Sequence, residues 1–319
     1  MLSRASEQRS QTSSAYFRPS DVCEGQLVDI ETAFSRRLAR TGACTRMTTM
    51  LVDVSRTAVI AAMDANLSGH FLTYSQLPDG AAHDDSTLVW FISGVREKWF
   101  NGIVHARLNP VNTEKAIDGV LVEFGRRDLP MVWHIGPTSR STMLGAALAA
   151  HGLIHVVDEP GMALDLATMA DRDPTPSNLT IEDVLDNVVL RAWTAVWMDG
   201  VPEPTRGRCR AVYDALGVDR AHPWRYYLGR LDGEPVATVK LFYDAGVVSV
   251  QHVATLPHAR HQGIATAMTV HALREARDQG YRVAVLTSTP AGFNCYRRIG
   301  FRTYCTFSSY AWWPRGDIG

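Results

Sequence analysis

The run from Val247 to Thr287 constrains this chain more than any other part of it. Alternating residues from Val247 to Thr255 predict a strand, Pro257 halts it, a polar loop follows, and a helical stretch leads to Gly280. Tyr281 to Thr287 then forms an apolar strand of the kind that parallel sheets bury on both faces, so the whole run reads as a β-loop-α-β unit. Upstream, Asp232-Gly233-Glu234 separates Tyr226 to Leu231 from Pro235 to Phe242, which predicts a tight hairpin whose glycine takes positive φ. Asp244-Ala245-Gly246 marks the next turn. The fold class expected is α/β (α+β), a mixed sheet flanked by helices.

The rest of the 319 residues is read around that unit. Residues 1–45 are a polar tail or peripheral helix, and 46–170 alternate strands (Leu88 to Ile92, Met131 to Ile135) with helices starting near Thr113 and Ser141. Residues 171–178 hold two prolines and no large apolar side chain, which makes them a linker, and 179–319 form the second domain. There a helix carries Trp193 and Trp197, a pair more often core than pocket wall, and the next, expected to be capped by Thr205, carries Cys209, Val212, Tyr213 and Leu216.

Composition narrows the function classes. A net charge of -1 gives no basic field for nucleic acid, and no apolar run is long enough for a membrane span. Five scattered cysteines without a C-x-x-C pair suggest neither a disulfide framework nor a zinc site, and a reducing cytoplasm fits them. His134, His151 and His155 show no metal-ligand partners, so no metal is expected.

The loop after Thr255 carries the chemistry. Gly263 and Ala265 stand where a helix begins, with minimal side chains; free N–H groups, the positive end of the helix dipole and Arg260 make a pyrophosphate cradle there. Ala265, Met268, Ala272 and Ala276 form the helix's inner stripe, while Arg274, Glu275, Arg277 and Asp278 stay in water. Neither the P-loop pattern nor the dinucleotide-binding glycine pattern is present.

Arg260-His261-Gln262-Gly263-Ile264-Ala265 resembles instead the R/Q-x-x-G-x-G/A signature of the GNAT acyltransferase superfamily. Two further features in the right order add to it: the stretch from Ser288 to Phe301 is similar to that family's helix with its Y-x-x-x-G-F ending, and the Asp232-Gly233 hairpin stands where the family has one. The resemblance covers residues 179 to about 313. Met131 to Ile135, a helix to Ala150 and His151-Gly152-Leu153 faintly echo the same order, which implies a tandem repeat whose first copy has lost its cofactor site.

The resemblance implies an acetyl-CoA or short acyl-CoA dependent N-acyltransferase acting on a small primary amine by direct attack. Val253, Ala254 and Thr255 would meet the pantetheine arm; Arg260, His261, Gln262, Gly263, Ile264, Ala265 and Thr266 the pyrophosphate; Asn294 the cofactor; and Tyr296 would be the acid for the leaving thiolate. Family members with a strand base carry Glu or His where this chain has Ser249 and Gln251. Strict alternation places His252 on the face of Val248 and Val250, where it is a packed histidine; a β-bulge is needed to turn it into the cleft as a base. Ser249 and Gln251 holding a relay water, or an acceptor arriving partly deprotonated, are the alternatives. Cys295 reads as packing. Other acyl-CoA chemistry on the same fold, malonyl thioester decarboxylation or longer acyl transfer, and a non-catalytic acyl-CoA sensor are the rival functions. The acceptor's identity and the oligomeric state stay open at this point.

Overall fold

Eleven strands form one sheet in the computed structural model, which describes residues 49–85, 87–139, 143–171 and 175–315. The expected tail at 1–45 and part of the linker lie outside those residues. In chain order the strands are β1 (Ala81–Asp84), β2 (Leu88–Ile92), β3 (Asn101–Ala106), β4 (Met131–Ile135), β5 (Ile154–Asp165), β6 (Leu179–Asp183), β7 (Trp224–Leu231), β8 (Glu234–Asp244), β9 (Val247–Thr255), β10 (Val283–Thr287) and β11 (Arg302–Trp312). The helices are α1 (Arg56–Leu72), α2 (Thr113–Arg126), α3 (Leu144–Ala150), α4 (Asn187–Trp197), α5 (Glu203–Leu216), α6 (Ile264–Asp278) and α7 (Pro290–Ile299). The expected mixed sheet flanked by helices is what forms.

Across the sheet the order is β1-β2-β3-β4-β11-β5-β10-β9-β8-β7-β6. Only β3–β4 and β9–β10 pair in parallel, each joined by a crossover helix, α2 and α6. Each unit continues into a helix and a long last strand: α3 and β5 in the first half, α7 and β11 in the second. Those last strands are exchanged. β11 lies between β4 and β5, pairing Trp312 with Met131 and Phe307 with Glu159, while β5 reaches β10 of the second half, pairing Gly161 with Thr287. The halves therefore share one hydrogen-bonded ladder.

The exchange puts α1 against both halves. Val59 and Met63 pack with Ala163, Val247, Val283, Val285 and Phe307. One turn on, Asn66 Nδ2 donates to the carbonyls of Phe242, Asp244 and Val247 at the β8–β9 turn, while Ser68 Oγ donates to Val104 O of β3 at 3.3 Å. A shared cluster then joins Tyr74, Phe91 and Phe100 to Trp193, Tyr213 and Phe242. On the opposite face α6 buries Ile264, Met268 and Leu273 against β8 and β9, each large side chain contributing about 1.5–3 kcal/mol.

One helix start differs from expectation. Pro202 is the N-cap residue of α5, and Pro204 already occupies the first turn because its fixed φ suits that position. Thr205 therefore lies inside the helix, and its hydroxyl donates to Glu97 Oε1 at 2.9 Å beside the Glu97–Arg208 ion pair. Cys209, Val212, Tyr213 and Leu216 are buried as expected. Among the described residues no helix is long and apolar enough to cross a membrane, and no cluster of three metal-ligating side chains forms.

Candidate active site

The parallel pairing of β9 and β10 is confined to Val248–Ala284 and Ser249–Val285, although β9 continues to Thr255. Beyond Ser249 the β10-facing edge of β9 is open, so Val253, Ala254 and Thr255 line a slot and are half-buried. Leu256 N–H, bonded to Val236 O at 2.9 Å, makes the last rung before Pro257 begins a single 3-10 turn. Arg260 Nε then donates back to Thr255 O at 2.9 Å, tying the loop to the strand end.

The loop turns into α6 through two left-handed residues, His261 (φ 63°) and Gly263 (φ 78°), the second serving as N-cap. Among the described residues no group accepts a hydrogen bond from the backbone N–H of residues 261–266; the first helical bond is Ala267 N–H to Gly263 O. A Cβ on Gly263 would meet nothing within 4 Å, so the loop faces open space. Ile264 and Ala267 anchor the helix below, while Arg260, His261 and Gln262 are exposed and Ala265 and Thr266 half-buried. Unpaired N–H groups at a helix N-terminus carry about half a positive charge, the setting an anion needs.

The slot's other edge is α7. Thr289 Oγ1 accepts Gly292 N–H, and a Cβ on Gly292 would stand 2.8 Å from Tyr296 Cε2, so the tyrosine ring lies over the glycine. The ring packs edge-on against Phe301 at 5.9 Å. Burial, with Cys295 and Glu159 nearby, pushes its phenol above the ordinary range, so it holds its proton. No protein group among the described residues is hydrogen-bonded to its hydroxyl. Cys295 Sγ meets Thr266 Oγ1 at 3.2 Å, linking α7 to the loop helix, and Asn294 is exposed.

β9 does not keep strict alternation. Ala254 pairs with Thr238 and Gln251 with Lys240, so His252 and Val253 together stand opposite Val239, and His252 has φ 51°. Thr238 Oγ1 donates to the displaced His252 carbonyl at 2.8 Å, which holds the bulge. His252 is thereby turned from the face of Val248 and Val250 to that of Ser249 and Gln251, under α4 and α5. It is also hydrogen-bonded: Nε2 lies 2.6 Å from Tyr213 Oη, and the half-buried Trp197 ring covers it at 4.4 Å, whereas Trp193 is core. Gln251 Nε2 donates to Ser249 Oγ at 3.2 Å, and Ser249 Oγ donates in turn to Phe242 O at 3.5 Å.

Sequence reasoning missed what lies behind His252. Tyr213 Oη is 3.3 Å from Tyr74 Oη, and Lys240, with no exposed surface, donates from Nζ to His70 Nε2 at 3.2 Å. The rings of Tyr213, Tyr226 and Trp224 face that ammonium at 5.4, 5.5 and 5.6 Å. Burial pulls Lys240 down to about 7; burial, then the Lys240 charge, holds His252 well below the ordinary histidine range. A lysine midway along the apolar strand Pro235 to Phe242 was the available signal.

Residues 187–301 match the Acetyltransferase (GNAT) family. No curated protein matches the sequence. Among solved structures, a GCN5-related N-acetyltransferase from Kribbella flavida superposes with a TM-score of 0.64 at 20% identity, covering 82% of this chain and 97% of that one. One from Sphaerobacter thermophilus gives 0.52 at 17% identity over 85% and 96%. A tandem GNAT protein from the clavulanic acid biosynthesis pathway gives 0.50 at 10% identity over 83% and 97%. At such identities the likeness is one of fold, and it extends over both halves.

Proposed function

With a GNAT domain over residues 187–301 as premise, we propose that this chain is an acyl-CoA-dependent N-acyltransferase that uses acetyl-CoA or another short acyl-CoA and acylates a small primary amine by direct attack. The observation that carries the reading is the slot where β9 leaves β10, ending at the unpaired N–H groups of residues 261–266. That pairing of an open strand edge with an anion cradle suits a ligand with a peptide-like arm and a pyrophosphate.

Bound acyl-CoA supplies an activated carbonyl and a thiolate leaving group. The backbone of Val253 and Thr255 aligns the arm, Arg260 holds the strand end to the cradle, and Gly263 leaves room for phosphate oxygens. The amine lone pair forms the C–N bond as the C–S bond breaks, and Tyr296 gives its proton to the departing sulfur. The amine's own proton leaves through water in the cleft, which returns a proton to the Tyr296 phenolate; neither the Ser249 hydroxyl nor the Gln251 amide is a base, and Tyr213 occupies Nε2 of His252. The acceptor therefore enters as free amine.

Calorimetric titration with acetyl-CoA, on the wild type and on Gly263→Glu, tests the site; thiol release with a panel of amines tests the reaction. Micromolar binding that the substitution abolishes, with amine-dependent thiol release, is the expected result. A folded wild type that does not bind acetyl-CoA overturns the reading, and CO2 release from malonyl-CoA without acyl transfer replaces it by decarboxylation.

A further inference from the structure

Hydrogen-bond direction behind the bulge decides what His252 can do. Tyr74 and Tyr213 are buried, and both keep their protons because burial raises their phenols above the ordinary range. Tyr213 Oη is the only partner of Tyr74 Oη among the described residues. If Tyr213 donated to Tyr74, the Tyr74 hydrogen would be buried with no acceptor. With Tyr74 donating to Tyr213, the Tyr213 hydrogen goes to His252 Nε2 at 2.6 Å, and every hydrogen is used. The imidazole hydrogen of His252 then sits on Nδ1. Among the described residues Nδ1 has no protein partner, and it keeps some accessible surface, so it meets the cleft.

Behind this donor lies Lys240, pulled down to about 7 by burial and without a counter-ion, so it is a cation below that pH and a carboxylate bound nearby holds its proton on. Among the described residues no carboxylate pairs with Lys240; its surroundings are His70 from α1, Tyr213 from α5, and Trp224 and Tyr226 from β7, with the His252 ring 5.8 Å from that of His70. His70 comes from the first half of the chain, so that half helps to build the pocket. A second ammonium brought here is repelled, whereas a carboxylate gains both the donor and the charge.

Resting on the amine-acylation reading, we propose that His252 Nδ1–H and the buried Lys240 select an acceptor that carries a carboxylate beside its amine, with Trp197 as an apolar wall, in preference to a polyamine. Phenylalanine and phenethylamine differ only by the carboxylate, and spermidine supplies the opposite charge. With acetyl-CoA, phenylalanine is expected to exceed phenethylamine in kcat/KM by about tenfold or more, the worth of one charge-assisted hydrogen bond, and spermidine by more. Lys240→Met brings the first ratio towards unity and leaves acetyl-CoA affinity unchanged. Equal or better use of phenethylamine or spermidine overturns the proposal. Should Lys240→Met not fold, 15N-detected imidazole NMR of the wild-type chain decides the donor: neutral His252 with hydrogen on Nδ1 at pH 7 supports it, and an Nε2–H tautomer or an imidazolium defeats it. A chain that acylates no amine yet shows the Nδ1–H tautomer loses the amine reading while the donor assignment stands.

Discussion

The two β-loop-α units of this protein share a pairing pattern and differ in what their loops do with backbone N–H groups. Gly102–Val132 and Ile103–Trp133 join β3 to β4 as Val248–Ala284 and Ser249–Val285 join β9 to β10. After β3, Asn109 Oδ1 accepts the N–H groups of Val111 and Asn112, and Asn109 O accepts that of Thr113. Glu114 stands in the first turn of α2, where its charge opposes an anion. After β9 the N–H groups of residues 261–266 find no acceptor among the described residues, and α6 has no acidic residue in its first turn. The following helices end alike, Leu153 N–H bonding Leu148 O and Phe301 N–H bonding Tyr296 O, both at 3.0 Å. Leu148 is sealed in the core where the second half presents a tyrosine. One topology thus leaves its loop N–H groups spent or unspent, and its second helix ending in leucine or tyrosine, according to a few side chains.

That contrast is open to direct attack. The largest expected effect is Gly263→Glu, which weakens acetyl-CoA binding roughly 1000-fold, about 4 kcal/mol, as two like charges ~4 Å apart at a surface-like dielectric require. Asn112→Glu in the first-half loop leaves that affinity within about twofold, and calorimetry on both variants compares the loops. Next, Tyr296→Phe lowers kcat by about 100-fold with acetyl-CoA affinity kept. Leu148→Ala, at the matching helix end, costs about 3 kcal/mol of stability instead. Steady-state kinetics and urea midpoints separate the two; a Tyr296→Phe enzyme with wild-type kcat removes the acid role. The smallest effect is that of Thr238→Val, which releases the His252 carbonyl and costs about 1 kcal/mol. The β2–β3 ladder slips too, between Val89 and Trp90, but no residue there has positive φ, so losing the clamp makes β9 more like β3. The urea midpoint reads this loss.

Local patterns were legible. The Asp232-Gly233 turn, with φ 50° and 89°, joins strands where the spacing placed them, and β9 spans Val247–Thr255, ended before Pro257 as expected. The start of α6 at Ile264 followed from Gly263. At Thr205 an N-cap reading failed because the helix already starts at Glu203, with Pro204 in its first turn, and Glu97, far away in sequence, takes the hydroxyl. At His252 alternation failed because a bulge held by Thr238 adds a residue to one strand. Tyr213 and Lys240 read as core and strand, and their partners Tyr74 and His70 come from the other half of the chain.

By itself the sequence determined the features whose causes lie within a few residues: turns that need positive φ, helix ends, the periodicity of strands, and a loop left with unspent N–H groups. Only the tertiary structure decided the exchange of β5 and β11, the passage of α1 across both halves, and the Tyr74–Tyr213–His252 and His70–Lys240 contacts. The physical reason is range. A turn or a cap is set by the dihedral limits and hydrogen-bond capacity of neighbours, whereas strand order and a buried cation's surroundings depend on which distant edges and faces meet once the whole chain has closed.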